Sequence, residues 1–268
     1  MKKTNFIYYF IVIVLLSFTH LAVAVPANVN IGKMFWHDEF RSQSLDLTKW
    51  NYRYTGLRNS AINTPNAVTV ERGQLVITTY TNKGIHYTGM IGTQDKFEMT
   101  YGYVEARMKF HNMPANWSAF WLQSPTFGTP IGSPDIAGTE IDIIEHRMAN
   151  QTNSDVSSYI VNAIHWDGYA SSHKSIGNMV SFKQTLSQDT WHTYGVLWTP
   201  TSYSFYFDDK LVWTTTTAVS DRSEYLILSS AIRNNSWAGT IPTTGYGSLT
   251  KSRCQTKVDY VRAYKLKT

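Results

Sequence analysis

A single cysteine, Cys254, is all the chain has, so no disulfide can form within it and the fold must rest on a packed core. Blocks of Lys or Arg are missing too. The 24 basic residues are scattered against 19 acidic ones, which removes nucleic acid and anionic membrane surfaces as expected partners. No segment holds an apolar period of 3.6 residues over three turns, so long amphipathic helices are not expected. Beyond the N-terminus no apolar run approaches the roughly 20 residues a spanning helix needs. Neither an internal repeat nor a Pro/Gly/Ser linker divides the chain.

The one long apolar run stands at the start. Met1-Lys2-Lys3 precede an almost wholly apolar stretch from Phe6 to Phe18, and Ala22-Val23-Ala24 closes it. A positive start, a hydrophobic stretch too short to span and a small-x-small end predict that residues 1–24 are a secretory signal, with a secreted or periplasmic product. Losing Lys2 and Lys3 lowers the formal net charge from +5 to +3. Residues 25–268 suit one domain, expected to work as a monomer.

Strand patterns fill that domain. In "QLVITTY", "GYVEARMKF", "SYSFYFDDKLVW" and "KVDYVRAYK" apolar residues recur at every second position. Val104, Ala106, Met108 and Phe110 alternate with Tyr103, Glu105, Arg107 and Lys109, and Asp208-Asp209 reads as a hairpin turn. The expected fold is all-β, two stacked antiparallel sheets in a concanavalin-like jelly-roll sandwich.

One strand is odd. "TEIDIIEH", Thr139 to His146, sets three carboxylates among three isoleucines. On a regular strand Glu140 and Asp142 share a face, whereas Glu145, an odd number of residues further on, would point into the core. A β-bulge at Ile143 or Ile144 would return Glu145 to the face of the other two acids. The two glutamates would then stand roughly 13 Å apart along the backbone, at ~3.3 Å per residue. Inward-leaning side chains could bring their carboxyls to the ~5–5.5 Å that a retaining glycosidase uses. An isolated triplet leaves a solvated acidic face as the alternative.

The pattern Glu140-x-Asp142-x-x-Glu145 resembles the signature of glycoside hydrolase family 16, in the bulged form of laminarinases, agarases and carrageenases. "NAVTVERGQLVITTY", "YGYVEARMKF" and "NWSAFWLQSP" upstream, and "NAIHWDGY", "WHTYGVLWTPTSYSFYFDDKLVW" and "VDYVRAYK" downstream, follow that family's order and spacing from Trp36 onward. The resemblance implies a retaining, endo-acting hydrolase of a β-linked polysaccharide, with Glu140 as nucleophile, Asp142 as the residue that tunes it and Glu145 as acid/base. Uncharged β-1,3- or mixed β-1,3/1,4-glucan is the first expected substrate and agarose-like galactan the second. Strongly sulfated carrageenan is disfavoured because Arg147 alone does not make a basic cleft. A transglycosylase on the same scaffold and a noncatalytic lectin are the rivals, and a lectin has no need of two spaced glutamates.

Trp117 and Trp121 share a strand face and suit stacking on sugar rings, with core packing as the other use of Trp121. His165 in "AIHW" and Trp237 in "NNSWAG" match the family's cleft positions. No cofactor is expected to be required. The resemblance does imply a structural calcium held by Glu39, the Gly73 carbonyl and Asp259, oxygen donors of the kind calcium prefers. His165, Asp167 and His173 lack a recognised zinc spacing. Three features depart from the family pattern. Met90 stands where many members carry a cleft Arg, His146-Arg147 follow Glu145, and residues 124–138, with three prolines and three glycines, are expected beside the cleft. Sequons occur at Asn116, Asn150 and Asn234, and a glycan at the first or last would crowd a cleft tryptophan.

Overall fold

The computed structural model describes residues 26–27, 29–111, 113–182 and 190–267, so the expected signal at residues 1–24 lies outside the described residues. Alternation decides the layers. In the strand Gly102–Lys109, Val104, Ala106 and Met108 join the core while Tyr103, Glu105 and Arg107 face outward. Repeated along the chain, this pattern builds two eight-stranded antiparallel sheets that enclose one large core. Phe120, Leu122, Ile141, Ile164, Leu226 and Leu228 come from one sheet, and Leu75, Val104, Val196, Phe205, Val258 and Val261 from the other. Each large apolar side chain removed from water contributes about 1.5–3 kcal/mol, and free Cys254 is itself buried. The jelly-roll expectation holds.

The sheet that carries the site runs Lys174–Ser181, Tyr159–Trp166, Glu140–Arg147, Asn116–Gln123, Glu224–Ile232, Met90–Gly92 and Asn51–Tyr52, with Glu98–Met99 also paired to Glu224–Ile232. A four-stranded sheet at its side contains Gly56–Arg58 and Ala61–Asn63. The Asp208-Asp209 turn forms as expected, both residues at positive φ (44° and 64°), the conformation a two-residue hairpin requires. Helix among the described residues is confined to Pro134–Ala137 and a 3-10 turn at Pro65–Ala67, and none is long and apolar enough to cross a membrane.

The donor set expected for calcium does not suit a cation. Both Glu39 carboxylate oxygens accept hydrogen bonds from Arg262, each at 2.9 Å, and Asp259 pairs with Arg107 at 2.8 Å. Gly73 lies in the turn between Val68–Glu71 and Gln74–Thr78. A cation there would have to displace two guanidinium groups that already neutralise the carboxylates. The Asn116 side chain is buried and donates to Thr79 and Ser230, so this sequon does not offer a free acceptor.

Candidate active site

The strands Asn116–Gln123 and Glu140–Arg147 are antiparallel neighbours in the middle of the second sheet. Their register slips by one residue: Phe120 pairs with Ile144 but Trp121 pairs with Asp142, leaving Ile143 without a partner. The same slip recurs on the other side, where pairing jumps from Asp142 with Ala163 to Glu145 with Val161. This is the bulge that the odd spacing predicted. Ile143 and Ile144 both enter the core, and Glu140, Asp142 and Glu145 line one cleft. Asn162 braces the bulge, its Nδ2 donating to the Ile143 carbonyl at 2.6 Å. The start of the strand is anchored by Glu224, whose Oε1 accepts the Thr139 N–H and hydroxyl, both at 2.9 Å. Gly138 enters it at φ 76°, where a Cβ would collide with Ser124.

The cleft, about 540 Å³, is lined by all seven residues expected to act in catalysis or substrate binding: the three acids with Trp117, Trp121, His165 and Trp237. Glu140 Oε2 accepts hydrogen bonds from Gln123 Nε2 at 2.9 Å and from the Tyr169 hydroxyl. Gln123 Oε1 accepts from the Tyr225 hydroxyl at 2.8 Å, and Arg53 donates to that same Tyr225 oxygen at 3.1 Å. His165 bridges two neighbours, Asp142 at 3.1 Å and His173 at 2.9 Å. Asp167 turns away from both histidines to accept from Gly132 N–H and Lys174, so these three residues do not converge.

Burial dominates the electrostatics. It pushes Glu140 up to about 8, with the Asp142 charge adding to the effect, and pushes Asp142 to about 7. Glu145 rises well above the usual carboxylate range through burial and the repulsion of Asp142 and Glu140. Three acids this close cannot all ionise. Asp142, the lower of the two values, loses its proton first, the donors on Glu140 Oε2 pull Glu140 the same way, and charge on either one keeps Glu145 protonated. The cleft thus sets Glu140, with two donors on one oxygen, on the same face as Glu145, which keeps its proton.

Trp117 and Trp237 meet edge to face at 5.7 Å, with the Arg147 guanidinium 4.0 Å above the Trp237 ring. Trp121 serves both uses expected of it. It lines the cleft, yet it is buried with Met90, Ala119, Tyr225 and Ile227 and donates to Ser229 at 3.1 Å. Met90 is 2% exposed and belongs to that packed layer. His146 turns to the core, stacked on Phe110.

Tyr54, Arg58, Tyr169, Ser229 and Arg233 also line the cleft and were not anticipated. The view of Arg147 as the lone local cation is therefore corrected. Arg58 arrives from the small side sheet and Arg233 from just past the end of Glu224–Ile232. Arg58 Nη1 is buried with no hydrogen-bond partner. Serine at 229 faces the cleft beside Ala119, a position only the strand register reveals.

Fold and site together define a jelly-roll β-sandwich with a three-carboxylate cleft on the outer face of one sheet. A family model described as "Beta-porphyranase A-D, GH16 domain" matches residues 36–266, and the chain belongs to glycoside hydrolase family 16. It is 27% identical to Glucan endo-1,3-beta-glucosidase A1 of Niallia circulans, over 91% of this chain and 40% of that one. Keratan-sulfate endo-1,4-beta-galactosidase of Sphingobacterium multivorum is 28% identical over 92% and 58%. The chain thus spans about half the length of these relatives. The catalytic domain of an endo-1,3-beta-glucanase (laminarinase) from Thermotoga petrophila RKU-1 has the same fold, with a TM-score of 0.70 over 88% of this chain and 98% of that one at 23% identity.

Proposed function

We propose that the protein is a retaining endo-β-glycosidase with Glu140 as nucleophile, Glu145 as acid/base and Asp142 as the residue that tunes the nucleophile. The bulge at Ile143 carries this reading, because it sets both glutamates on the cleft face. Glu140 attacks the anomeric carbon while Glu145 passes its proton to the departing glycosidic oxygen. Glu145, now a base, takes a proton from the water that breaks the glycosyl-enzyme ester. Two inversions leave the β configuration intact. The reaction asks for no cofactor. We read the N-terminal segment as an export signal, so the enzyme would act as a monomer in the periplasm or outside the cell.

For the substrate we favour a β-linked galactan carrying anionic groups. The support is the cleft cations, Arg58 with its unpaired Nη1 above all, since a buried guanidinium nitrogen is costly until an acceptor reaches it. The names of the matching family model and of the keratan-sulfate relative agree with this. A neutral β-1,3- or mixed-linkage glucan is the second reading, supported by the name of the glucan-degrading relative. Agarose-like galactan without sulfate stands between the two.

Two experiments test the proposal. On an activated aryl glycoside with added azide, Glu145→Ala should give a β-glycosyl azide and Glu140→Ala an α-azide, and the same anomer from both would reject the roles. A panel of sulfated galactans, agarose and β-glucans with product sizing separates the substrate readings and reports hydrolysis against transglycosylation. Arg58→Ala should cost about tenfold in kcat/KM on the sulfated polymer. Equal loss on a neutral glucan would remove the anionic reading.

A further inference from the structure

Tyr169 closes the segment "NAIHWDGY", yet nothing in the sequence assigned it a role. It follows the strand Tyr159–Trp166 in a loop, and 63% of its surface is exposed while its hydroxyl reaches inward to Glu140 Oε2. That loop is braced by residues 124–138. Asp167, buried, accepts the Gly132 N–H at 2.7 Å and the Lys174 ammonium at 2.9 Å. Gly128, at φ +81°, packs against Gly168 so closely that a Cβ on it would stand 2.6 Å from the Gly168 Cα. The Phe127 ring lies 4.9 Å from that of Tyr169.

We propose that Tyr169 is a positioning residue for Glu140: with Gln123 it occupies Oε2, so that Oε1 alone is presented to the sugar. This rests on the reading of Glu140 as nucleophile. The terminal torsion of a glutamate is broad and nearly two-fold, so a carboxylate without fixed donors samples many orientations. Two donors from different elements, Gln123 on its strand and Tyr169 on its loop, select one. As Oε1 bonds to the anomeric carbon and the glycosidic bond breaks, the proton from Glu145 goes to the leaving oxygen and Oε2 becomes the ester carbonyl. When the ester breaks, charge returns to Oε2, where the Tyr169 hydroxyl still donates and keeps its own proton.

The groups that act on the charge of Glu140 are known on every side. Asp142 and Glu145 on its own strand and Glu224 two strands away in the same sheet oppose it. His165, Gln123 and Tyr169 favour it. Arg58 is a further cation close enough to interact with it. Removing the Tyr169 hydroxyl leaves burial and Asp142 less opposed.

Tyr169→Phe keeps the ring and its Phe127 contact. An activated 2-fluoro glycoside of the oligosaccharide that the enzyme cleaves, read by mass spectrometry, should label Glu140 in the wild type and do so about tenfold more slowly in the variant. The acid limb of kcat/KM should move up by about one pH unit, with kcat falling more than KM changes. Gly128→Ala, which displaces the loop without altering the hydroxyl, should shift the limb in the same direction. Labelling at the wild-type rate with unmoved limbs would overturn the role of Tyr169 and leave the nucleophile assignment standing. A label on another carboxylate would overturn that assignment first.

Discussion

Asp142 and His165 meet at 3.1 Å, Oδ2 to Nε2, so the middle acid of the triad is turned toward the neighbouring strand. Its charge is felt by both glutamates and raises each of them. Asp142→Asn removes that repulsion and should let both carboxyls ionise at lower pH. The alkaline limb of kcat/KM, set by Glu145 losing its proton, should therefore move down by about one pH unit, with the acid limb following. A pH–rate profile reads both. Unmoved limbs would mean that Asp142 is neutral in the working enzyme.

Asn162 holds the bulge from the next strand. Its Nδ2 donates to the Ile143 carbonyl, the backbone group that the register slip leaves beside the core. Asn162→Ala should cost about 1–3 kcal/mol in urea unfolding, because it orphans a buried carbonyl. It should also lower kcat well below the melting temperature, since the bulge alone aims Glu145. Stability lost with kcat unchanged would show that the bulge holds itself.

That bulge was legible because parity is strict: an odd step between two acids demands either a buried charge or an extra residue. Strand alternation likewise placed Val104, Ala106 and Met108 inward, and the structure agrees. The cleft cations were not legible. Arg58 sits on a three-residue strand of a separate sheet and Arg233 just past a strand end, where alternation no longer dictates direction. Tyr169 depends on contacts between two loops, and no local pattern encodes those. The arginine partners of Glu39 and Asp259 were hidden for a related reason. A resemblance in ligand positions says nothing about Arg262 and Arg107 arriving from neighbouring strands to take the same oxygens.

Glu105 gives a prediction for stability. Its strand turns it away from the core, opposite Arg262 and Gly195, yet it is fully buried among outward-facing tyrosines that include Tyr103 and Tyr264. Burial pushes it to about 7, against the pull of Tyr103 and Arg262. In the unfolded chain it would titrate near 4.5. The folded value is the higher one, so the unfolded chain sheds this proton first as pH rises. The stability linked to Glu105 is fully present below about 4.5 and is lost as pH climbs through about 7. A rise of that size corresponds to at most about 3 kcal/mol. Glu224, pushed to about 8 by burial, acts in the same direction. The melting temperature at constant ionic strength should therefore fall between pH 5 and about 8. Glu105→Gln, nearly the same shape without a charge to gain, should flatten part of that slope. If wild type and variant melted with the same slope, Glu105 would have to carry the same charge folded and unfolded, and its tyrosine surroundings would have to stabilise a buried anion after all.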